Sequence, residues 1–422
     1  MSAFQSLPGS NDITRLSLPN NITLLVRSNF NSPSFSLGGY FESGSLFDSN
    51  EKLGLADFAT TALMRGTHQR SFEEIYDALE AVGAHLGFSA GTHTSGFSGR
   101  ALVEDLPLVL ELLADCLQNP SYPAEEIERL RAQLLTGLSI RAQDTGDMAS
   151  LAFDKIIYGN HPYARPDDGY PETVRAITRD DIVAFQKRCF GPKGMTIAVV
   201  GAVEADFVFE QAAQTLGDWH NPGQPTLPTL PTVVPLTETV RQHIALSGKS
   251  QTDLMIGALG PERKATEFTA ASLGNSILGQ FGMMGRIGDV VREQSGLAYH
   301  ASSSLSAGVG PGTWDVNAGV NPANVDRAVQ LILDEIRLFI QHGVTREELQ
   351  DSQDNFIGRL PLSMESNAGV ASSLLNIERH GLGLDYYRNY EQMVRAVTPE
   401  MVQATAQKYL NPDVMAITSS GP

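Results

Sequence analysis

Hydrophobic side chains along the first half of the chain follow two spacings, one typical of strands and one typical of helices. Residues 22–26 and 35–41 are rich in β-forming residues and predict two strands, joined by a polar turn at 28–32. Residues 54–65 carry apolar side chains at helical spacing and are followed by Gly66, a common helix terminator. The pattern therefore predicts a buried helix soon after a pair of strands.

Further helices follow, with a second pair of strands among them. Ser71 and Glu74 form a capping-box motif that predicts the start of a helix, which ends before Gly83. Weak alternation between His85 and Ser98 predicts the strand pair. The other elements predicted in this half are helices at 106–117, 124–140 and 178–189 and a short strand at 195–200.

An internal repeat indicates how the chain is organised. Residues 174–178 (VRAIT) recur at 394–398 (VRAVT), an offset of 394 − 174 = 220. The same offset carries Gly201 onto Gly421 without a gap. A single register held over this length indicates two homologous halves.

A proline-spaced segment lies between the two copies. Residues 221–231 favour extended backbone and predict a semi-rigid spacer. We therefore predict a first domain at 1–220, a linker at 221–236 and a second domain at 237–422. Each half begins with strands, continues through helices and ends helix then strand, which predicts an α+β fold with helices packed on a mostly antiparallel sheet.

Composition narrows the possible functions. A net charge of −18 argues against nucleic acid as a partner, since phosphates require a basic surface. An acidic cavity would favour basic peptides, while the alternative is that the charge only keeps the protein soluble. Residues 1–15 contain no export signal and no apolar run is long enough to cross a membrane, so we expect a cytoplasmic protein. The two cysteines, Cys116 and Cys189, predict buried, reduced thiols.

The helix at 54–65 lies within a recognisable motif. Residues 54–67 read GLADFATTALMRGT. They resemble the pitrilysin-type metallopeptidase motif G-L-A-H-F-x-E-H-x-x-x-[KR]-G-T, which carries two zinc-binding histidines and a glutamate general base. In this chain the three positions are Asp57, Thr60 and Thr61. The resemblance to this family, peptidase family M16, extends over essentially the whole chain.

The residues at the motif's three positions are poorly suited to zinc hydrolysis. An aspartate can bind a metal, but a threonine hydroxyl is a poor zinc ligand, and Thr60 cannot act as a general base at neutral pH. The family's third ligand is a later glutamate, expected near 137–144, and the sequence has no glutamate between Glu128 and Glu172. We therefore expect no metal in this chain. A stand-alone peptidase using Asp57 with an unusual metal is the alternative.

A second family signature is intact. Residues 285–299 (GRIGDVVREQSGLAY) resemble R-L-x-x-x-[LV]-R-E-x-x-G-L-A-Y. The resemblance implies that Arg292 and Tyr299, seven residues apart (299 − 292 = 7), contact bound substrate: the tyrosine donates to the developing oxyanion and the arginine holds a carbonyl. The alternative is that Arg292 pairs with an acidic neighbour and Tyr299 begins a strand, because the fold needs them.

The resemblance implies two further substrate contacts. The glycine-rich segment 278–285, with Gly282 and Gly285, is similar to a loop that guides peptide in relatives, although these glycines could instead only end a helix and permit a turn. The region 83–94, with Gly87 and Phe88, corresponds to an edge strand to which substrate adds through backbone hydrogen bonds.

Together these features predict a non-catalytic subunit of a heteromeric pitrilysin-type metallopeptidase. A zinc-bearing partner subunit would complete a heterodimer, and this chain alone would not be an enzyme. The alternative is a structural or assembly subunit of the same fold, as in the pitrilysin-like core subunits of respiratory complexes.

Overall fold

The computed structural model describes residues 7–422 of the chain. Residues 1–6 are part of the stretch 1–15 on which the expectation of a cytoplasmic protein partly rests, and they lie outside the described residues. Within residues 7–422, no helix is long and apolar enough to cross a membrane.

Two sheets contain the eleven strands of the described residues. The first sheet has the order β1-β2-β6-β3-β5-β4 and consists of β1 (Thr14–Ser17), β2 (Thr23–Ser28), β3 (Ser34–Phe41), β4 (His85–Ala90), β5 (Ser95–Leu102) and β6 (Thr196–Gly201). The second has the order β7-β11-β8-β10-β9 and consists of β7 (Val240–Ala245), β8 (Thr252–Leu259), β9 (Ala298–Leu305), β10 (Thr313–Val320) and β11 (Ala416–Gly421).

The second sheet repeats the plan of the first. In each, the last strand of the half lies between the first two long strands and runs parallel to one of them, β6 to β2 and β11 to β7. The other neighbouring strands are antiparallel. Strands β6 and β11 begin 416 − 196 = 220 residues apart, the offset of the sequence repeat. The predicted α+β fold with two homologous domains is confirmed.

Fifteen helices accompany the sheets within residues 7–422. Those of the first half are α1 (Leu55–Thr61), α2 (Phe72–Glu80), α3 (Leu106–Gln118), α4 (Ala124–Arg141), α5 (Thr145–Tyr158), α6 (Pro171–Ala176), α7 (Arg179–Cys189) and α8 (Ala205–Leu216). Those of the second half are α9 (Phe268–Gly279), α10 (Phe281–Gly288), α11 (Val325–His342), α12 (Arg346–Ser363), α13 (Asn367–Arg379), α14 (Tyr390–Arg395) and α15 (Pro399–Tyr409).

Local signals placed several helix ends correctly. The capping box at α2 forms as predicted: the backbone N–H of Glu74 donates to Ser71 Oγ at 3.2 Å, and the Ser71 N–H donates to the Glu74 carboxylate at 2.7 Å. The helix predicted at 54–65 is shorter, because α1 ends at Thr61 and a 3₁₀ turn, Ala62–Arg65, completes the segment.

The core of the first sheet is built around its inserted strand. All six residues of β6 are buried, as its apolar run predicts. Edge-to-face packing of Phe190 with Phe41, at 5.0 Å between ring centroids, and with Phe185, at 6.0 Å, joins β3 to α7. Cys116 and Cys189 are free thiols buried in this core, and burial raises the pKa of Cys116 to about 12.

The compact units of the structure are not the contiguous halves 1–220 and 237–422. The first unit consists of the chain up to Leu138 together with Pro166–Thr229 and Pro361–Arg388, and the second of Ser139–Arg165, Leu230–Leu360 and Asn389–Pro422. The step from Thr229 to Leu230 does fall within the predicted linker, 221–236.

A reciprocal exchange of helices explains the difference. Helix α5 packs against β8 and β11 of the second unit, and α13 packs against β3 and β6 of the first. Adding the repeat offset of 220 to 139–165 gives 359–385, which nearly coincides with the other exchanged segment, Pro361–Arg388. Each half therefore contributes its helix to the other half's sheet, and a prediction based on sequence continuity cannot show that.

Two glycines bring two backbones into close contact at the start of α1. Gly54 has φ +91° and precedes the helix, and Gly169 has φ +70°. A Cβ on Gly169 would lie 2.1 Å from the carbonyl oxygen of Leu53, and one on Gly54 would lie 2.7 Å from that of Asp168. Only glycine tolerates both the positive φ and the short distance between the two backbones. This contact therefore fixes the position of α1.

We expect Gly169→Ala to destabilise the protein more than Gly83→Ala. Gly83 also has positive φ, at +64°, but a Cβ there would meet nothing within 4 Å. The Gly83 change should cost about 1–2 kcal/mol for the left-handed conformation, and the Gly169 change a further 1–3 kcal/mol, roughly, for overpacking. Chemical denaturation of both variants measures the difference, and equal losses would contradict the role assigned to this contact.

Candidate functional site

Helix α1 carries the three positions of the altered metal motif, and a carboxylate holds its first turn. The backbone N–H groups of Gly54 and Ala56 each donate to the side chain of Asp48 at 3.0 Å. A carboxylate at a helix N-terminus satisfies free N–H groups and interacts favourably with the helix dipole. The orientation of α1 is therefore fixed independently of any metal.

The position of the family's general base is occupied by a buried hydroxyl. Thr60 is fully buried, and its hydroxyl lies 2.8 Å from the hydroxyl of Ser95, the first residue of β5. Ser95 in turn donates to the backbone carbonyl of Ser43 at 2.7 Å, so Thr60 is the donor of the pair. This chain of two hydroxyls ties α1 to the sheet and serves packing. Thr61, one position further on, is only partly buried.

The position of the first histidine carries a carboxyl in an acidic environment. Asp57 is largely buried, and burial raises its pKa to about 6, with the nearby carboxylates of Asp168 and Asp167 acting in the same direction. The hydroxyl of Thr92 donates to Asp167 at 3.0 Å, and Ser45 also donates to that carboxylate. Asp57 therefore takes up a proton at a higher pH than an exposed aspartate does.

The residues present do not fit a zinc ion. Among residues 7–422, no three His, Cys, Asp or Glu side chains are grouped so that they could hold a metal. The hydroxyl of Thr60 is already hydrogen-bonded to Ser95. The segment where the third ligand was expected, 137–144, includes the end of α4. Gly137 there has no side chain that could bind a metal, and a Cβ at this position would meet nothing within 4 Å. A catalytic zinc site needs three protein ligands and an open position, and this unit does not supply them.

An open strand edge lies next to α1. Strand β4 is at the edge of the first sheet and contacts α1. Gly87 pairs with Ser98, and Phe88 pairs with Phe97, whose ring centroid is 6.4 Å away. The ring of Phe88 packs against the core, so its side chain has a structural explanation. The feature of β4 that could bind peptide is its backbone, and this edge can accept another strand.

The glycine-rich segment of the second unit is an irregular loop inside α10. Gly282, Met283, Met284 and Gly285 all depart from helical dihedral angles, and the φ values of Gly282, Met284 and Gly285 are positive. A Cβ on Gly285 would lie 2.6 Å from the backbone nitrogen of Gly279, whereas one on Gly282 would meet nothing within 4 Å. Gly285 is therefore required for packing, while Gly282 gives the loop its conformation.

The same loop covers the edge of the second sheet. Strand β9 is the edge strand there, and the backbone N–H of Ala301 donates to the sulfur of Met284 at 3.4 Å. The hydroxyl of Ser303 donates to the backbone carbonyl of Asn275 in α9 at 2.9 Å. Covered edges resist pairing with other chains. The outer edge of β9 is covered in this way, and β4 is the corresponding edge strand of the first sheet.

A β-bulge at the start of β9 exposes Tyr299. Ala298 pairs with Val320 and His300 pairs with Gly319, so Tyr299 is an extra residue with no partner on β10. Bulges redirect side chains and occur next to functional sites. The Tyr299 side chain is 85% exposed, and within residues 7–422 its hydroxyl has no hydrogen-bond partner.

Arg292 lies on a widened helical turn, Asp289–Gln294, just before that bulge. Its Nε is 3.3 Å from the carboxylate of Glu293, and the guanidinium is partly exposed. The backbone carbonyl of Arg292 accepts from the N–H of Gly296 at 3.0 Å, which closes the turn towards β9. The structure thus brings Arg292, Tyr299 and the glycine loop to one end of β9, as the sequence signature requires.

Another arginine of the signature is structural. Arg286 donates two hydrogen bonds of 2.7 Å to Glu348 and one of 3.1 Å to the carbonyl of Gly343. Its guanidinium also lies 5.4 Å from the ring centroid of Phe339. Arg286 therefore fastens the loop to α11 and α12. Arg292 and Tyr299 have no comparable contacts.

A pocket of about 300 Å³ opens beside the glycine loop. Its walls combine apolar and charged side chains, namely Ile277, Phe281, Met283, Arg286, Asp289, Glu293, Glu348 and Asp351, together with Gly285. Arg286 is the single cation of this lining and is paired with Glu348. The pocket belongs to the same loop and adds a negatively charged wall to it.

The sequence analysis missed several residues that contribute to these sites. Asp48 caps α1 from six residues away (54 − 48 = 6), outside the spacing of a capping box, and Ser95 reaches Thr60 across the fold. Met284 adopts a positive φ that methionine rarely does, and no local pattern signals it. The bulge at Tyr299 follows from pairing with β10, so it too has no sequence signature of its own.

Comparisons with known proteins agree on one family. Residues 23–166 match the family described as insulinase (peptidase family M16), and residues 176–356 match the family described as peptidase M16 inactive domain. A crystal structure of a peptidase M16 inactive domain from Pseudomonas fluorescens superposes with a TM-score of 0.90 and 29% sequence identity, covering 97% of this chain and 98% of that one.

Curated relatives carry names of several kinds. A protein of Mycobacterium leprae named as an uncharacterized zinc protease is 27% identical over 94% of this chain and 89% of its own length. A probable mitochondrial-processing peptidase subunit beta of Arabidopsis thaliana is 27% identical over 46% of this chain and 36% of its own length. Cytochrome b-c1 complex subunit 1 of Mus musculus is 28% identical over 51% of this chain and 44% of its own length.

We expect that restoring the motif on α1 will not create a tight zinc site. The variant Asp57→His/Thr60→Glu/Thr61→His supplies two imidazoles and a base but no third ligand, and it buries a carboxylate where Thr60 now bonds to Ser95. Zinc should bind with a Kd no lower than about 1 µM, and the variant should lose roughly 1–3 kcal/mol of stability or more.

Competition with a chromophoric chelator measures the zinc affinity. The comparison variant adds Gly137→Glu, which supplies a carboxylate in the segment where the family has its third ligand. Nanomolar zinc binding by the triple variant would contradict our account of the site.

Proposed function

The chain belongs to peptidase family M16, and from that premise we propose that it is the zinc-free subunit of a two-chain peptidase. A partner subunit of the same family carries the H-x-x-E-H helix and the zinc. This chain contributes Arg292 and Tyr299 to the partner's active site, and it does not hydrolyse peptides alone.

The first unit supports the part of the proposal in which this chain does not hydrolyse peptides alone. The base position holds Thr60, whose hydroxyl is bonded to Ser95, and the first ligand position holds Asp57, whose pKa burial raises to about 6. Helix α1 is nevertheless well supported by Asp48 and by the contact at Gly54 and Gly169. The helix is therefore kept as part of the fold without the chemistry.

The exposure of Tyr299 is the main observation that supports a contribution of this chain to the partner's active site. A tyrosine that the fold needed would be packed or hydrogen-bonded, whereas this side chain is 85% exposed on an unpaired bulge residue. Arg286, six positions before Arg292 (292 − 286 = 6), is by contrast fully engaged with Glu348. The signature thus contains a structural arginine, an exposed tyrosine, and Arg292, which is partly exposed and paired with its neighbour Glu293.

In the proposed reaction the two side chains act on the peptide. The partner's zinc supplies the Lewis acid and the activated water of hydrolysis. The Tyr299 phenol donates a hydrogen bond to the oxygen of the scissile carbonyl as negative charge develops there. The Arg292 guanidinium holds a neighbouring carbonyl of the substrate. Donors fixed in advance stabilise charge that appears only in the transition state, and removing one typically costs about 3–4 kcal/mol.

The open edge of β4 offers a second, sequence-tolerant contact. Peptide added as a further strand would bond to the backbone at Gly87 and Phe88, and the ring of Phe88 would stay in the core. The loop at Gly282 and Gly285, with its acidic pocket, would meet basic substrate segments, in keeping with the net charge of −18.

Relatives that are named as subunits support a heteromeric assembly. One is named as a mitochondrial-processing peptidase subunit and another as a subunit of the cytochrome b-c1 complex. The second name favours the other candidate function, a structural or assembly subunit without a role in proteolysis. The two candidates differ in whether Tyr299 and Arg292 matter for turnover.

We expect Tyr299→Phe to lower kcat of the reconstituted two-chain peptidase by about 100- to 1000-fold. The subunits should still associate, and the stability of this chain should not change, because the side chain is exposed. Tyr76→Phe is the matched control: it removes a phenol from an exposed tyrosine on α2 and should leave kcat unchanged. Peptide cleavage by the mixed subunits, with kcat and KM determined separately, is the measurement.

Two outcomes would contradict the proposal. Unchanged kcat in both Tyr299→Phe and Arg292→Ala, with assembly intact, would favour the structural subunit. Peptide cleavage by this chain alone, abolished by a chelator, would instead favour the alternative of a stand-alone peptidase that uses Asp57 with an unusual metal.

A further inference from the structure

One face of the second sheet is covered only in part by a helix. Helix α5 packs there on β7, β8 and β11, and Thr418 of β11 donates to the carbonyl of Ala149 at 2.9 Å. Met255 of β8 lies opposite Thr418, and Asn317 of β10 lies opposite Met255, so all three side chains share this face. Beyond Met255 the face continues over β10 and β9.

The part of the face on β9 and β10 is polar and partly exposed. His300, Ser302 and Ser304 alternate along β9, and Asn317 lies opposite Ser302. All four side chains are partly exposed, and none is a lysine, an arginine or an acid. Asparagine is depleted in strands, and β10 is an inner strand of its sheet. The presence of Asn317 here therefore requires a reason.

Two serines hold the side-chain amide of Asn317 in place. The hydroxyl of Ser302 donates to Oδ1 of Asn317 at 3.1 Å, and Nδ2 of Asn317 donates a longer hydrogen bond, 3.5 Å, to Oγ of Ser304. A carboxamide can donate two hydrogen bonds and accept two. The amide makes no other hydrogen bond within residues 7–422, so one N–H and one lone pair stay available.

The polar surface reaches the bulge that exposes Tyr299. A Cβ on Gly319 would lie 2.7 Å from Cε1 of His300 and 2.3 Å from Nε2 of Gln251, so both side chains lie over this glycine. His300 directly follows Tyr299, and its ring has no hydrogen-bond partner within the described part of the chain. Ser302 is three residues from Tyr299 (302 − 299 = 3), or about 10 Å along the strand. Asn317 is therefore within reach of a peptide that contacts Tyr299.

The first sheet shows that the fold does not need an asparagine at this place. Strands β6 and β11 correspond at the repeat offset (419 − 199 = 220), and pairing from them outwards aligns the two sheets. The aligned rows are Val199, Leu37, Gly99 and Leu86 in the first sheet and Ser419, Leu254, Ala318 and Ala301 in the second. One step further, Ser98 opposite Gly87 corresponds to Asn317 opposite Ser302. The same sheet plan thus forms with two small residues at this pair.

We propose that Asn317, held by Ser302 and Ser304, binds an amide group of the peptide and is a specificity-determining residue of this chain. The inference rests on the proposed function, because peptide is the ligand in both. An amide offers a donor and an acceptor, which match the free lone pair and the free N–H of Asn317. A side chain already fixed by its neighbours loses little conformational freedom on binding.

Peptide binding to the full-length chain tests this role. The probes are short fluorescein-labelled peptides of lysine and alanine, in which a single glutamine is moved along the sequence and is compared with methionine at the same place. Methionine has a similar length but no N–H donor and only a weak acceptor. Fluorescence anisotropy should give a Kd roughly 3- to 10-fold lower for glutamine at one position, the effect of one hydrogen bond.

A second set of probes distinguishes the two sources of the amide. If Asn317 binds the peptide backbone, methylation of one backbone nitrogen should weaken binding by a similar factor, and glutamine should give no advantage over methionine. Either pattern supports the proposal when it depends on Asn317. Failure of the wild-type chain to bind any of the peptides would overturn it.

Variants of the chain decide whether Asn317 is responsible. Asn317→Leu has a similar volume without hydrogen-bonding groups, so it should remove the preference. Asn317→Ser introduces the residue found at the corresponding place in the first sheet and serves if the leucine variant does not fold. Gln242→Leu, which removes an exposed amide from β7 of the same sheet, should leave the preference unchanged. An unchanged preference in a folded Asn317 variant would overturn the proposal.

The outcome can be separated from that of the proposed function. If Tyr299→Phe lowers kcat of the two-chain peptidase but Asn317→Leu keeps the wild-type peptide preference, only the role of Asn317 is wrong. If Asn317→Leu removes the preference but Tyr299→Phe leaves kcat unchanged, this chain binds peptide without contributing to catalysis. In that second case the proposed function is wrong and the role of Asn317 stands.

Discussion

Each sheet depends on the strand that comes last in its half of the sequence and lies between two earlier strands. Strands β6 and β11 are separated by long stretches of chain from the neighbours they pair with, and all six residues of each are buried. Neither sheet can be continuous until its half of the chain has folded back, so the strand order of each sheet depends on this long-range pairing.

Within this shared plan, the two units have diverged in how they use equivalent places. The β9 edge of the second sheet is covered, since the sulfur of Met284 accepts from Ala301 and α9 bonds to Ser303. The first sheet leaves β4 open beside α1. In the first unit α1 therefore serves packing beside the edge strand β4, and in the second unit the edge strand β9 is contacted by the glycine loop and α9 while Tyr299 stays exposed.

The sequence predicted what is local or periodic and missed what depends on distant contacts. The strands at 22–26 and 35–41, the capping box at Ser71 and the duplication all rest on short-range patterns, and they were correct. The compact units differ from the contiguous domains predicted from the sequence where helices are exchanged, because α5 and α13 leave no mark of their destination in the sequence. For the site, the motif positions could be read directly, but the bulge that exposes Tyr299 arises only through pairing with β10.

The polar groups buried in the two units differ in their energetic consequences. The hydroxyls of Thr60 and Ser95 satisfy each other and the carbonyl of Ser43, so they cost the fold little. Asp154 has no such partner, and ionising it within an apolar contact is unfavourable. An asparagine would fill the same volume without that cost, so packing alone does not account for an aspartate.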